Sequence, residues 1–145
     1  MPIEIRLAES NDVAALFNVR TSVRENHMSR ESLSELGITY TSVSKMISAS
    51  PCAWVAVSDN EIVGFSMIDV PNASLFAAFV LPAHEAKGLG TQLIAVAESE
   101  LFKHHSLIWL ETDRDSRAAG FYRHLGWREE RKAEGNQIRL TKARP

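Results

Sequence analysis

The chain has 145 residues, 45% of them hydrophobic, which suits one domain, 1–145, with a single core. Its 16 basic and 18 acidic residues leave a formal charge of −2, so there is no electrostatic footprint for nucleic acid or an anionic membrane. Cys52 is the lone cysteine, which excludes an internal disulfide and a thiol-rich metal site. No apolar run approaches the roughly 18 residues of a membrane span, and MPIEIRLAES lacks the basic start and apolar core of a signal peptide. A cytoplasmic protein with no membrane or nucleic-acid partner is the expectation.

Ile3, Ile5 and Leu7 alternate with polar residues and predict a strand. Ser10-Asn11-Asp12 offers N-cap chemistry for a helix whose apolar face is Val13, Leu16, Phe17 and Val23, a stripe that Arg20 interrupts. Weaker patterns predict short helices near 30–36 and 41–49, the first ended by Gly37. Cys52 to Val57 and Ile62 to Asp69 read as a hairpin around the polar turn Ser58-Asp59-Asn60-Glu61. After the turn Pro71-Asn72, Ser74 to Val80 is a third strand, so an antiparallel meander is expected. The period then switches. Leu89, Leu93, Val96, Ala97 and Leu101 keep helical spacing. Leu107 to Glu111 is a strand, Ser116 to His124 a helix capped by Gly126, and strands near 127–131 and 136–141 finish the chain. This order predicts an α/β (α+β) fold: a mixed, mostly antiparallel sheet of about six to seven strands flanked by helices.

Between the third strand and its helix lies PAHEAKGLGT, Pro82 to Thr91. A helix N-terminus exposes unpaired N–H groups and partial positive charge. Gly88 and Gly90 permit positive φ and close approach, Lys87 adds a cation, and Thr91 adds a hydroxyl, so a phosphate is the natural guest. The plain alternative is that the glycines serve only the turn. A P-loop is excluded, because Gly90 is followed by Thr-Gln rather than Lys-Ser/Thr. A dinucleotide fingerprint would need a third glycine where Leu93 stands.

Two stretches carry a family resemblance. FVLPAHEAKGLGTQL, Phe79 to Leu93, resembles the acetyl-CoA loop of the GCN5-related N-acetyltransferase (GNAT) family, a strand ending in Val-x-Pro followed by Gln/Arg-x-x-Gly-x-Gly/Ala. Glu85, Gly88 and Gly90 take its three key positions. DSRAAGFYRHLGW, Asp115 to Trp127, resembles that family's Asn-x-x-Ala-x-x-Phe-Tyr-x-x-x-Gly-Phe. Three residues depart from the pattern: Glu85 stands for Gln or Arg, Ala86 for a frequent glycine, and Asp115 for a frequent asparagine.

The resemblance implies the GNAT fold and a metal-free N-acetyltransferase with acetyl-CoA as co-substrate. It lays acetyl-CoA in a splay between Ser74–Val80 and Leu107–Glu111. Phe79 and Val80 would meet the pantetheine and Lys87, Gly88, Leu89, Gly90 and Thr91 the pyrophosphate, with Glu85, Ala86, Asp115 and Ala118 completing the cofactor side. It makes Tyr122 the general acid for the departing thiolate and the N–H of Val80 the oxyanion donor. Spacing alone reads Tyr122 as a core residue in a stripe with Ala118, Phe121 and Leu125. Glu111 is one candidate base; His84, Glu25, His27 and a water chain are others. Arg24, Glu25, Asn26 and His27 fall where relatives build the acceptor wall. The acceptor is a small-molecule amine or a peptide or protein amine, and homodimers are common among relatives. The rival reading is a non-catalytic acyl-CoA-binding or sensor domain, supported by the missing strand carboxylate and by Glu85. A third is a partner-binding domain that uses no CoA.

Overall fold

The computed structural model describes residues 3–23, 28–85 and 88–145. The elements in chain order are β1 (Ile3–Leu7), α1 (Val13–Ser22), α2 (Arg30–Glu35), α3 (Tyr40–Ala49), β2 (Ala53–Ser58), β3 (Glu61–Asp69), β4 (Ser74–Val80), α4 (Leu89–His104), β5 (Leu107–Asp113), α5 (Arg117–His124), β6 (Arg128–Lys132) and β7 (Gln137–Ala143). Single 3₁₀ turns at Ser10–Asp12 and Pro82–His84 precede α1 and α4. The order matches the sequence expectation. Trp127 differs, since it lies just ahead of β6 rather than in it.

Local chemistry explains the boundaries. Asp59 and Asn60 both take positive φ (51° and 65°), so the two-residue β2–β3 turn matches the twist of its strands. Ser29, Thr39 and Ser116 cap α2, α3 and α5 by accepting backbone N–H bonds. α5 ends in a Schellman motif. Gly126 (φ 99°) bonds back to Arg123 O, and the Trp127 N–H bonds to Tyr122 O at 3.0 Å.

The seven strands run in the order β1-β2-β3-β4-β5-β7-β6. Every neighbouring pair is antiparallel except β4 and β5, which are parallel. β7 inserts between β5 and β6, which chain order alone did not foretell. Helices cover both faces. On β3, Gly64 and Ser66 face α4, where the Ser66 hydroxyl donates to Leu93 O at 2.9 Å. Phe65 and Met67 face the other way, onto a cavity shared with Leu16 and Phe17 of α1. The core joins both layers through fully buried Val55, Val63, Ile68, Leu93, Leu101, Ile138 and Leu140. Among the described residues no helix is long and apolar enough to cross a membrane.

Candidate active site

β4 and β5 pair at one position only, Ser74 with Trp109. The Trp109 N–H donates to Ala73 O at 3.0 Å, and its indole N–H to Asn72 O at 2.7 Å. Beyond this pin the strands separate, so the sheet is split toward their C-terminal ends. The split leaves backbone groups unpaired. The Leu81 N–H donates to Val63 O at 2.8 Å, which fixes Leu81, Phe79 and Ala77 as the β4 residues bonded to β3. Alternate residues of a strand turn their N–H and C=O to opposite sides. Ala78 and Val80 therefore present theirs to the split. The register also slips between Met67 and Ile68, leaving Phe76 as the extra residue of a bulge on β4.

Two cavities flank this split. One of about 530 Å³ lies on the α4 side, lined by Val80, His84, Glu85, Gly88, Leu89, Gly90, Thr91, Arg117 and Phe121 among others. The other, about 520 Å³, lies on the α1 side between Leu16, Phe17, Arg20, Leu33, Met67, Leu75, Glu111 and Gln137. Ala78, Phe79, Ala118 and Tyr122 line both.

The α4 side fits a CoA phosphate. Gly88 is the N-cap of α4 at φ 79°, and no side chain caps this end. Among the described residues the first bond into the helix is Gln92 N–H to Gly88 O, so Leu89, Gly90 and Thr91 form the first turn, whose N–H groups have no intrahelical acceptor. A Cβ on Gly88 would meet nothing within 4 Å, which leaves the approach to these donors open. Glu85 is exposed and pairs with exposed Arg117 at 3.7 Å, a cation that offsets its charge at the cavity. The split supplies the second half of the fit, because the amides of an extended chain can pair with the turned-out groups of Ala78 and Val80.

Of the expected cofactor residues, Phe79, Val80, Glu85, Gly88, Leu89, Gly90, Thr91 and Ala118 line this cavity together. Ala86 and Lys87 lie outside the described residues, as do Arg24, Glu25, Asn26 and His27. Asp115 is not brought in. Its carboxylate accepts from Asn136 Nδ2 at 3.0 Å within the turn before α5, and it lines neither cavity. His84 lines the α4 side and not the α1 side, with Nδ1 buried and unpartnered.

Tyr122 is buried at 8% exposure in the wall between the cavities. It is a core residue, and it also lines the cavities on either side of the split. Burial, and then the charge of Glu98, push its phenol well above the ordinary value of 10. Glu98 accepts from Trp127 Nε1 at 3.0 Å and from Lys142 Nζ at 2.8 Å, and the Trp127 ring meets Tyr122 edge-on at 5.9 Å. Glu111 lines the α1 side, with Oε2 bonded to Arg139 at 3.0 and 3.2 Å. Sequence reading passed over Arg20 as an interruption. It is half-buried in the same cavity, its guanidinium 4.3 Å from the Phe79 ring centre, and burial lowers its pKa. Cys52 is buried away from both cavities with its thiol pushed up to about 11 by burial, which leaves it unreactive.

The profile of the acetyltransferase (GNAT) family matches residues 16–127. Similar solved structures include the PaiA N-acetyltransferase of Thermoplasma acidophilum in complex with coenzyme A (TM-score 0.80, 21% identity, 99% of this chain and 100% of that one). An N-acetyltransferase of Staphylococcus aureus superposes at TM-score 0.76 with 13% identity over 99% of both chains. A GNAT-family acetyltransferase of Bacillus cereus gives 0.75 and 15% over 100% and 99%. No curated protein matches the chain in sequence. With the family profile spanning most of its length over a split sheet and an uncapped glycine helix start, the chain belongs to the GNAT family and is an acetyl-CoA-dependent N-acetyltransferase.

Proposed function

We propose that this chain moves the acetyl group of acetyl-CoA to a primary amine by direct attack, with Tyr122 as the acid for the departing thiolate. One observation carries the reading: Tyr122 stands in the wall common to both cavities, where a thioester held on the α4 side and an amine arriving from the α1 side would meet. The N–H groups at the start of α4 bind the pyrophosphate, and the preceding Ala86 and Lys87 are assigned to the cofactor side on the family resemblance. The turned-out groups of Ala78 and Val80 orient the pantetheine, and the Val80 N–H is the donor for the developing oxyanion.

A free amine of this kind holds its proton with a pKa near ~10.4, so it must lose one before attack. Glu111 is the acid residue of the α1-side lining; with Oε2 bonded to Arg139, Oε1 is the atom left to take that proton. The C–N bond forms as the C–S bond breaks, the thiolate takes its proton from Tyr122, and the proton leaving the acetylated nitrogen restores the Tyr122 phenol, giving the amide and the CoA thiol. Because the Tyr122 phenol is held above its ordinary value, its O–H is present at any working pH. Arg24, Glu25, Asn26 and His27, which follow α1 in sequence, are proposed as acceptor contacts on the family resemblance alone.

The test is Tyr122→Phe. Acetyl-CoA affinity measured by calorimetry should hold, while kcat falls about 10²- to 10⁴-fold. Undiminished kcat would remove Tyr122 from the chemistry. Binding of acetyl-CoA by the native protein with no acetylation of any amine would make the chain a CoA-binding domain instead.

A further inference from the structure

The α1-side cavity has a charge pattern that describes its guest. Among the described residues that line it, one is cationic, Arg20, and one is anionic, Glu111. The two stand on opposite sides of the split. Arg20 lies over Phe79 of β4. Glu111 is on β5, two residues past the Trp109 pin and so within the opened part. The remaining wall is mainly aliphatic and aromatic, with Leu33, Val43, Met67 and Leu75 buried.

A guanidinium at a mainly apolar cavity wall pulls on an anion there more strongly than it would in water. It has five N–H donors in a planar fork, so it can grip an oxyanion alongside any bond it makes within the protein. Phe79 lines both cavities, so the cation stands at the divide, where the amine must arrive. The anion it would read is therefore covalently close to that amine. A polycation is a poor match to the described lining, whose one acid is already bonded to Arg139.

We infer that the acceptor is an apolar α-amino acid, its amine set toward Glu111, its carboxylate held by Arg20 and its side chain among Leu33, Val43, Met67 and Leu75. The assignment rests on the acetyl-transfer reading above.

Thiol release from acetyl-CoA tests it with leucine, phenylalanine, leucinamide, phenylethylamine and spermidine, compared per unprotonated amine. The native enzyme should favour each amino acid over its carboxylate-free analogue by at least about 10-fold in kcat/KM. Arg20→Gln should shrink that ratio by about 10- to 100-fold, the range of a charge-assisted hydrogen bond, and Arg20→Lys should restore part of it. A native ratio near one, a preference for spermidine, or equal losses on leucine and leucinamide in Arg20→Gln would overturn the assignment. Acetylation of the wrong amines would sink the acceptor class alone. Acetylation of none would sink the transfer reading, and the class with it.

Discussion

Replacing Gly88 separates backbone strain from anion binding at the same residue. Gly88 sits at φ 79°, where an L residue pays about 1–2 kcal/mol, and a Cβ there meets no atom within 4 Å. Gly88→Ala should therefore bear the full cost, and Gly88→Asp no more than that, since aspartate tolerates this region better and can cap the helix. For a chain of this length that is a fall of roughly 2–8 °C in Tm. They differ toward the ligand. Acetyl-CoA at a hundred times Kd should stabilise the native protein by about 2.7 kcal/mol, or roughly 5–11 °C. Alanine keeps the N–H groups of Leu89, Gly90 and Thr91 accessible and should keep most of that rise. Aspartate places a carboxylate before the same donors, caps them itself and repels phosphate, so the rise should vanish at equal ligand. The assay is thermal unfolding of all three proteins, with and without acetyl-CoA, at fixed ionic strength. An unchanged ligand-induced rise in Gly88→Asp would refute anion binding at the start of α4. Loss of the rise in Gly88→Ala as well would mean that the loop's conformation, not its donors, is what binding needs.

Gly64→Ala should lower Tm by roughly 3–9 °C, about 1–3 kcal/mol of overpacking, because its Cβ would lie 3.0 Å from Phe79 O and 3.1 Å from Leu93 Cδ1. It should also weaken acetyl-CoA binding by shifting β4 at the split; an unchanged melting curve would show that β3 and β4 yield more easily than these distances allow. Asp12, buried and bonded to Arg6 at 2.8 and 3.1 Å and to the Glu9 N–H at 2.7 Å, has its carboxyl held below the ordinary range, chiefly by Arg6. Its stabilisation is thus fully present above the unfolded carboxylate pKa of about 3.9 and is lost as pH falls through the lower folded value. Asp12→Asn should cost about 1–3 kcal/mol at pH 7 in urea unfolding, and the gap from the native protein should close toward pH 2–3; a gap independent of pH would show that charge plays no part.

The strands and helices were legible because each is announced locally. Asp59-Asn60 is suited to the positive φ of a tight hairpin turn, and Gly126 to the left-handed end of a helix. Those cues report on a few neighbouring residues. The place of β7 between β5 and β6 is a long-range choice that no local signal states. It arises because Leu140 and Ile138 are buried to 0% exposure while β6, Arg128–Lys132, is almost wholly charged and suits the solvated edge. The split has the same character. It exists because one pair, Ser74 with Trp109, is bonded and the pairs after it are not, and nothing in SLFAAFV or LIWLE taken alone foretells where pairing stops.

The same division runs through the site. Glycine at position 88 and tyrosine at position 122 sit in motifs, so sequence reading found them and the fold brought them to adjoining cavities. Asp115 also sits in a motif, yet its own turn with Asn136 takes its carboxylate away from the site. Arg20 belongs to no motif and appeared as a flaw in an apolar stripe. What marks it is the combination of burial, a stack on Phe79 and a wall of aliphatic neighbours, and only the assembled fold can show that. A charged residue within a helix's apolar stripe departs from the pattern of its neighbours. Here the face it interrupts is the one that looks into the α1-side cavity, beside the strand that carries the split. The breach in the pattern and the opening in the sheet thus fall at the same place, and there the proposed choice of acceptor would be made.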